Sequence, residues 1–168
     1  MSTVRVAVLK APGTNCDLET IHAFELAGAQ AQRVWVDELK DKKDRLDPYH
    51  ILVIPGGFSY GDDLGAGRIL ANTLAYEFRE WLEPFLKQEK LVIGICNGFQ
   101  VLAKSGILPA GTLAEPQSVT LTGNDSGKFE DRWVYLKSEV NVCVWTQGAQ
   151  CVNRNAGGTC GGQVSSER

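Results

Sequence analysis

Short runs of consecutive apolar residues alternate along this chain with longer stretches in which apolar positions recur every three or four residues. Val4 to Leu9 is a β-branched run. It is followed by the turn-like Ala11-Pro12-Gly13-Thr14-Asn15 and by a helical pattern from about Asp17 to Ala27, which Gly28 ends. Arg33 to Val36 reads as a second strand, and the charged stretch Asp37 to Arg45 as a solvated connection. Ile51 to Ile54 is a third strand that runs directly into Pro55-Gly56-Gly57. Ala66 to Gln88 is helical with an interruption at Pro84, Leu91 to Ile95 is a fourth, fully apolar strand, and another helix starts at Cys96. Apolar strands alternating with helices predict an α/β domain whose mainly parallel sheet is covered by helices on both faces. Farther on, Val119 to Thr122, Trp133 to Lys137 and Val140 to Trp145 read as extended, in an antiparallel extension or edge.

The pattern stops near Trp145. From Ala149 to Arg168 the large aliphatics are Val152 and Val164, set among Gly157, Gly158, Gly161, Gly162 and polar residues. Such a segment buries too little apolar surface to offset the entropy of ordering it, so residues 147–168 are expected to be a disordered tail behind a domain spanning 1–146. A total of 168 residues suits one domain with one core.

Charge and cysteine usage narrow the setting. A formal charge of −3 gives no electrostatic reason to expect nucleic acid. The odd set Cys16, Cys96, Cys143, Cys151 and Cys160, behind a start with no basic flank and apolar core of a signal peptide, predicts a reducing, cytoplasmic setting. No apolar run approaches the roughly 20 residues of a membrane-spanning helix, so no membrane role is expected. The gaps between Cys143, Cys151 and Cys160 lack the close pairs of zinc sites, and no metal is expected.

The chemistry concentrates at Gly94-Ile95-Cys96-Asn97-Gly98, a nucleophile flanked by glycines two residues away on each side at a strand-to-helix junction. A sharp turn of this kind strains the nucleophile's backbone and leaves no room for a Cβ at the flanking positions. It also exposes Cys96 at a helix N-terminus, where the dipole favours thiolate. A cysteine packed as a small hydrophobe needs no such glycines. Acyl transfer further requires donors where an oxyanion forms. Pro55-Gly56-Gly57 ends another strand at the same end of the sheet, so the N–H groups of Gly57 and Asn97 are expected to converge on one oxygen. A phosphate cradle is the weaker reading, because Gly56 to Gly67 lacks a Gly-Lys-Ser/Thr ending.

Pro-Gly-Gly together with Gly-x-Cys-x-Gly-x-Gln resembles class I glutamine amidotransferases. Four longer strings, Gly13-Thr-Asn-Cys-Asp17, Pro55-Gly-Gly-Phe-Ser-Tyr-Gly-Asp62, Gly94-Ile-Cys-Asn-Gly-Phe-Gln100 and Leu121-Thr-Gly-Asn-Asp-Ser126, the last with Phe129 and Arg132-Trp133-Val134, resemble its phosphoribosylformylglycinamidine synthase glutaminase family over about residues 4–146. The resemblance implies a flavodoxin-like fold and a reaction in which Cys96 attacks the carboxamide of L-glutamine, N–H groups at Gly57 and Asn97 hold the oxyanion, and ammonia leaves a glutamyl thioester. It places Gly56, Phe58 and Gln100 in substrate binding. It also implies a large synthetase subunit and a small accessory subunit as partners. No cofactor is expected in this chain, with ATP and magnesium on the synthetase. Cys16 falls in a family string as a packing or partner-contact residue.

The family's His-x-Glu pair, base and orienting carboxylate for the cysteine, has no counterpart. The histidines are His22 and His50, and neither precedes a glutamate by two residues. His50 precedes a strand that ends at the catalytic edge, about 15 Å or more away at about 3.3 Å per residue. His22 lies inside the first helix. The resemblance fades where the composition changes, so the chain reads as truncated or translated in a foreign frame beyond Trp145. A catalytically silent module that still docks on the synthetase is the alternative to an active glutaminase.

Overall fold

The computed structural model describes residues 3–40, 46–113, 116–136, 143–147, 153–159 and 163–166. These form two compact units, Met1–Thr120 with Ser165–Arg168, and Leu121–Val164. Among the described residues no helix is long and apolar enough to cross a membrane.

The first unit is built on four parallel strands in the order β2-β1-β3-β4: β1 (Arg5–Lys10), β2 (Gln30–Trp35), β3 (Ile51–Ile54) and β4 (Leu91–Gly94). Register runs Val6↔Ile51 between β1 and β3 and Ile51↔Leu91 between β3 and β4, so the chain leaves β1, β3 and β4 at one edge of the sheet. The period of two along a strand sends Val6, Val8, Ile51 and Val53 to one face, where Ile21 and Phe24 of α1 (Asp17–Leu26) pack against them. Ala7, Leu9, Leu52 and Ile54 enter the larger cluster on the other face. There they meet α2 (Val36–Lys40), α3 (Arg68–Asn72), α4 (Arg79–Lys87) and α5 (Asn97–Lys104). The expected parallel sheet with helices on both faces is therefore present.

Three expectations are corrected within this unit. The stretch after Val36 is not wholly a solvated connection: α2 buries Val36 and Leu39, three residues apart on one face, while Asp37, Glu38 and Lys40 face water. Residues 41–45 of that stretch lie outside the described residues. The helical segment does not break at Pro84, which lies inside α4. It widens instead into a π-turn at Thr73–Glu77, closed by the Phe78 N–H donating to Thr73 O at 3.0 Å. That wider turn keeps Leu74, Phe78, Leu82 and Phe85 all in the core, with the Phe78 ring 4.5 Å from that of Trp81. β4, expected as a buried strand, is half-buried and stands last in the strand order.

In the second unit β6 (Glu130–Leu136) pairs antiparallel with β7 (Asn153–Thr159), from Glu130↔Thr159 to Leu136↔Asn153. The ladder is made by backbone groups and needs no apolar side chains from the Gly-rich β7. β5 (Val119–Thr122) and β8 (Gln163–Ser166) lie where the chain passes between the units. Val144–Thr146 form a 3-10 turn rather than a strand, and the expected strand's Val140 to Val142 fall outside the described residues.

Candidate active site

Cys96 links β4 to α5 with φ 53° and ψ −112°, a left-handed conformation that side chains rarely adopt. The flanking glycines explain how the turn closes. A Cβ on Gly98 would stand 1.8 Å from the Ile54 carbonyl oxygen, and one on Gly94 would stand 2.5 Å from the Gly98 oxygen. β3, β4 and α5 thus meet backbone to backbone, and Cys96 is left exposed at their junction.

Asn97 holds the next loop against this elbow. It is 3% exposed, and its Oδ1 accepts from the Ser59 hydroxyl at 2.7 Å and the Ser59 N–H at 3.2 Å. Its Nδ2 donates to Asp62 Oδ1 and to Gln100 Oε1, each at 3.1 Å. Asp62 Oδ1 also accepts from the Gly67 N–H at 2.9 Å. The loop so clamped carries three consecutive left-handed residues, Tyr60, Gly61 and Asp62. Side-chain partners of this kind over-determine a strained backbone.

The Gly56–Gly57 turn is fixed from the other side by the loop after β1. Thr14 and Gly57 form an antiparallel bridge, Cys16 N–H donates to Gly56 O at 3.3 Å, and Phe58 N–H donates to Gly13 O at 3.0 Å. Gly57 has φ +134°, and a Cβ there would lie 2.7 Å from the Asn15 backbone nitrogen. Among the described residues the N–H groups of Gly57 and Asn97 donate to no protein acceptor. The site sits at the carboxyl edge of the sheet beside β1, where strand order reverses and ligands of open α/β folds bind.

The sequence-predicted residues fall in two groups. Cys96, Asn97, Gly56, Gly57, Phe58 and Gln100 share this edge, with Phe58 63% exposed and Gln100 half-buried. The histidines do not join them. His50 precedes β3 at the opposite edge, where its Nδ1 accepts from the Arg5 N–H at 3.0 Å. His22 is exposed on α1, six residues beyond Cys16 and about 9 Å along the helix axis. Ser59 and Asp62 were not singled out from sequence, although both lie inside the Pro-Gly-Gly-Phe-Ser-Tyr-Gly-Asp string. Among the described residues no group of three or more His, Cys, Asp or Glu side chains is arranged to hold a metal ion.

Two ionisable groups near the β1 loop are shifted. The protein around its sulphur, Glu19, Cys96 and Asp17 together push the Cys16 thiol above its ordinary range. Asp17 is 2% exposed; burial pushes its carboxyl up, but the Lys10 hydrogen bond at 2.6 Å and the charges of Lys10 and Arg33 outweigh this and hold it low. Arg33 Nε approaches Asp17 Oδ2 to 2.7 Å as an ion contact, without the alignment of a hydrogen bond.

Comparison with known proteins places this geometry in context. Residues 3–167 match the model of the CobB/CobQ-like glutamine amidotransferase domain. The chain is 52% identical over 149 residues to phosphoribosylformylglycinamidine synthase subunit PurQ of Dehalococcoides mccartyi, covering 88% of this chain and 58% of that protein. The subunit of the same name from Methanococcus maripaludis is 41% identical over 146 residues, covering 86% and 53%. This chain therefore spans a little over half the length of these relatives. A chain in the structure of PurLQS from Thermotoga maritima superposes with a TM-score of 0.78 at 33% identity, covering 99% of this chain and 71% of that one. A glutamine amidotransferase from the same organism shares the fold at 16% identity, with a TM-score of 0.54 over 99% and 64%.

Proposed function

This chain belongs to the CobB/CobQ-like glutamine amidotransferase domain family, and we propose that it is the glutamine-hydrolysing part of a phosphoribosylformylglycinamidine synthase. The observation that carries the reading is the Cys96 elbow, strained at φ 53° and closed on Ile54 through Gly98 beside the Gly56–Gly57 turn. Similarity to the PurQ subunits supplies the reaction class.

In this reading the Cys96 sulphur attacks the glutamine side-chain carbonyl carbon. The developing oxyanion is received by the N–H groups of Gly57 and Asn97, donors with no competing acceptor among the described residues. Asn97 spends its side chain on Ser59, Asp62 and Gln100, which keeps its backbone fixed during charge development. The S–C bond forms, the C–N bond breaks, the proton given up by the Cys96 thiol leaves on the nitrogen as ammonia, and water later releases glutamate from the thioester and restores the thiol. Gly56 allows close approach, and exposed Phe58 and the free end of Gln100 flank the substrate. The ammonia passes to a large synthetase subunit, assisted by a small accessory subunit, where ATP and magnesium drive amidine formation.

One observation favours a second reading, a module that docks on the synthetase without turnover: the structure brings neither histidine to Cys96. The two readings are separated by ammonia release from glutamine, measured for the chain together with the synthetase and accessory subunits beside a Cys96→Ser control. Release that the control abolishes supports the enzyme. Release equal to the control, with the complex formed, supports the silent module.

A further inference from the structure

Cys16 stands beside the elbow, and the proposed reaction leaves its thiol unused. Its sulphur lies 3.5 Å from the point a Gly56 Cβ would occupy, and the Cβ of Cys96 lies 3.4 Å from that same point. The two cysteines therefore flank a position that holds no side chain, and both are free and exposed. The Cys16 backbone is tied to this arrangement by its N–H donating to Gly56 O at 3.3 Å. The charge of Cys96 is felt at the Cys16 thiol.

We propose that Cys16 is a resolving thiol for Cys96, so that peroxide converts the pair into an intramolecular disulfide that closes the nucleophile reversibly. The inference rests on Cys96 being the reactive thiol of the proposed function. In the first step the Cys96 sulphur attacks hydrogen peroxide. An S–O bond forms, the O–O bond breaks, and the hydroxide released takes up a proton as water, leaving a sulfenic acid. In the second step Cys16 gives up its proton and its sulphur attacks that of Cys96. The S–S bond forms, the S–O bond breaks, and a second water leaves. Two thiols are oxidised and one peroxide is reduced. Rotation about the Cα–Cβ bonds moves the sulphurs through the space that Gly56 leaves without a side chain, and any change in Cβ separation that a disulfide demands has to come from the backbone. Without such a partner a sulfenic acid proceeds to sulfinic acid, which thiol reductants do not reverse.

The experiment treats the full chain with hydrogen peroxide and follows two readouts: peptide mapping of the cysteines, and labelling of Cys96 by a glutamine-like electrophile before peroxide, after it, and after dithiothreitol. The expected result is a Cys16–Cys96 linked peptide, loss of Cys96 labelling after peroxide, and its return with dithiothreitol. Cys16→Ser is expected to lose labelling without return, with sulfinic acid at Cys96. The linked peptide in the unsubstituted chain is diagnostic even if the variant fails to fold. Sulfinic acid at Cys96 forming equally in both chains, or linkage of Cys96 to Cys143, Cys151 or Cys160, overturns the proposal while leaving Cys96 as nucleophile. Absence of labelling before peroxide overturns the nucleophile reading itself, and the resolving role falls with it.

Discussion

The side chain of Asn97 accepts two hydrogen bonds from Ser59, 38 residues upstream, with its Oδ1 2.7 Å from the hydroxyl oxygen and 3.2 Å from the backbone nitrogen. The residue after the nucleophile thereby fixes the loop after β3, and the two halves of the site become one rigid unit. Asn97→Ala leaves buried donors on Ser59 without an acceptor and releases Asp62. The expected loss is about 1–3 kcal/mol, the desolvation cost of unmade buried hydrogen bonds. Urea midpoints measure it, and slower labelling of Cys96 by a glutamine-like electrophile should accompany it.

Gly98 is the tightest point of the elbow. Gly98→Ala forces a Cβ to within 1.8 Å of the Ile54 carbonyl, so β3 or α5 must move. We expect destabilisation of about 3 kcal/mol or more, at the upper end of overpacking effects. Gly123→Ala is the matched control, because a Cβ there has nothing within 4 Å. It should stay within about 0.5 kcal/mol of the parent. Equal melting of the two variants would contradict the backbone contact.

Asp17 gives the chain an acid limb. Its folded carboxyl is held below the usual value by Lys10 and Arg33 despite burial. Its stabilisation is thus fully present above the unfolded carboxylate pKa of about 3.9 and is lost as pH falls through the lower folded value. Asp17→Asn should cost about 3 kcal/mol near neutral pH, the order found when one partner of a buried pair is removed. It should also flatten the fall in denaturant midpoint at the acid end. An unchanged acid limb in the variant would assign that limb to other carboxylates.

The elbow, the four strands of the parallel sheet and the first helix are legible in the sequence because each is a local pattern: glycines two positions from a cysteine, β-branched runs, a helical period. α2 is not, since five residues with Val36 and Leu39 as the buried pair are too few to show a period against Asp37, Glu38 and Lys40. The π-turn at Thr73–Glu77 is hidden for a different reason. Sequence rules flag Pro84 as the breaker, whereas the packing of Phe78 decides where the helix widens. Asn97's grip on Ser59 and Asp62 depends on the fold bringing distant loops together, which periodicity does not encode. The glycine-rich β7 carries no apolar alternation and is paired through its backbone.

Cys96 should be the thiol that a glutamine-like electrophile modifies in the native, reduced chain. Cys16, held protonated by its surroundings, should react more slowly, as should Cys143, which has no elbow around it. Mass mapping of the adduct decides this, and modification mainly at Cys16 or Cys143 would remove the basis for the assignment. Turnover is a separate matter. Neither histidine of this chain stands at the elbow, so with partner subunits present it should release ammonia more slowly than a relative with a positioned base by about a hundred to ten thousand fold. Activity equal to such a relative, abolished by Cys96→Ser, would show that another group supplies the proton.

The left-handed run Tyr60-Gly61-Asp62 also dictates an order of assembly. Its strain is held from one side by the loop after β1, where the Tyr60 N–H donates to Pro12 O at 2.7 Å, and from the other by Asn97, so that second support is missing until β4 and the first turn of α5 have been made. Closing that long loop carries an entropic cost before its hydrogen bonds repay it, which delays such contacts during folding. β1, α1 and β2 can condense early around their parallel pairing, whereas the loop after β3 has only its β1-loop contacts until the elbow arrives to seat it. The chemically competent edge of the sheet is accordingly complete only once the elbow has been made.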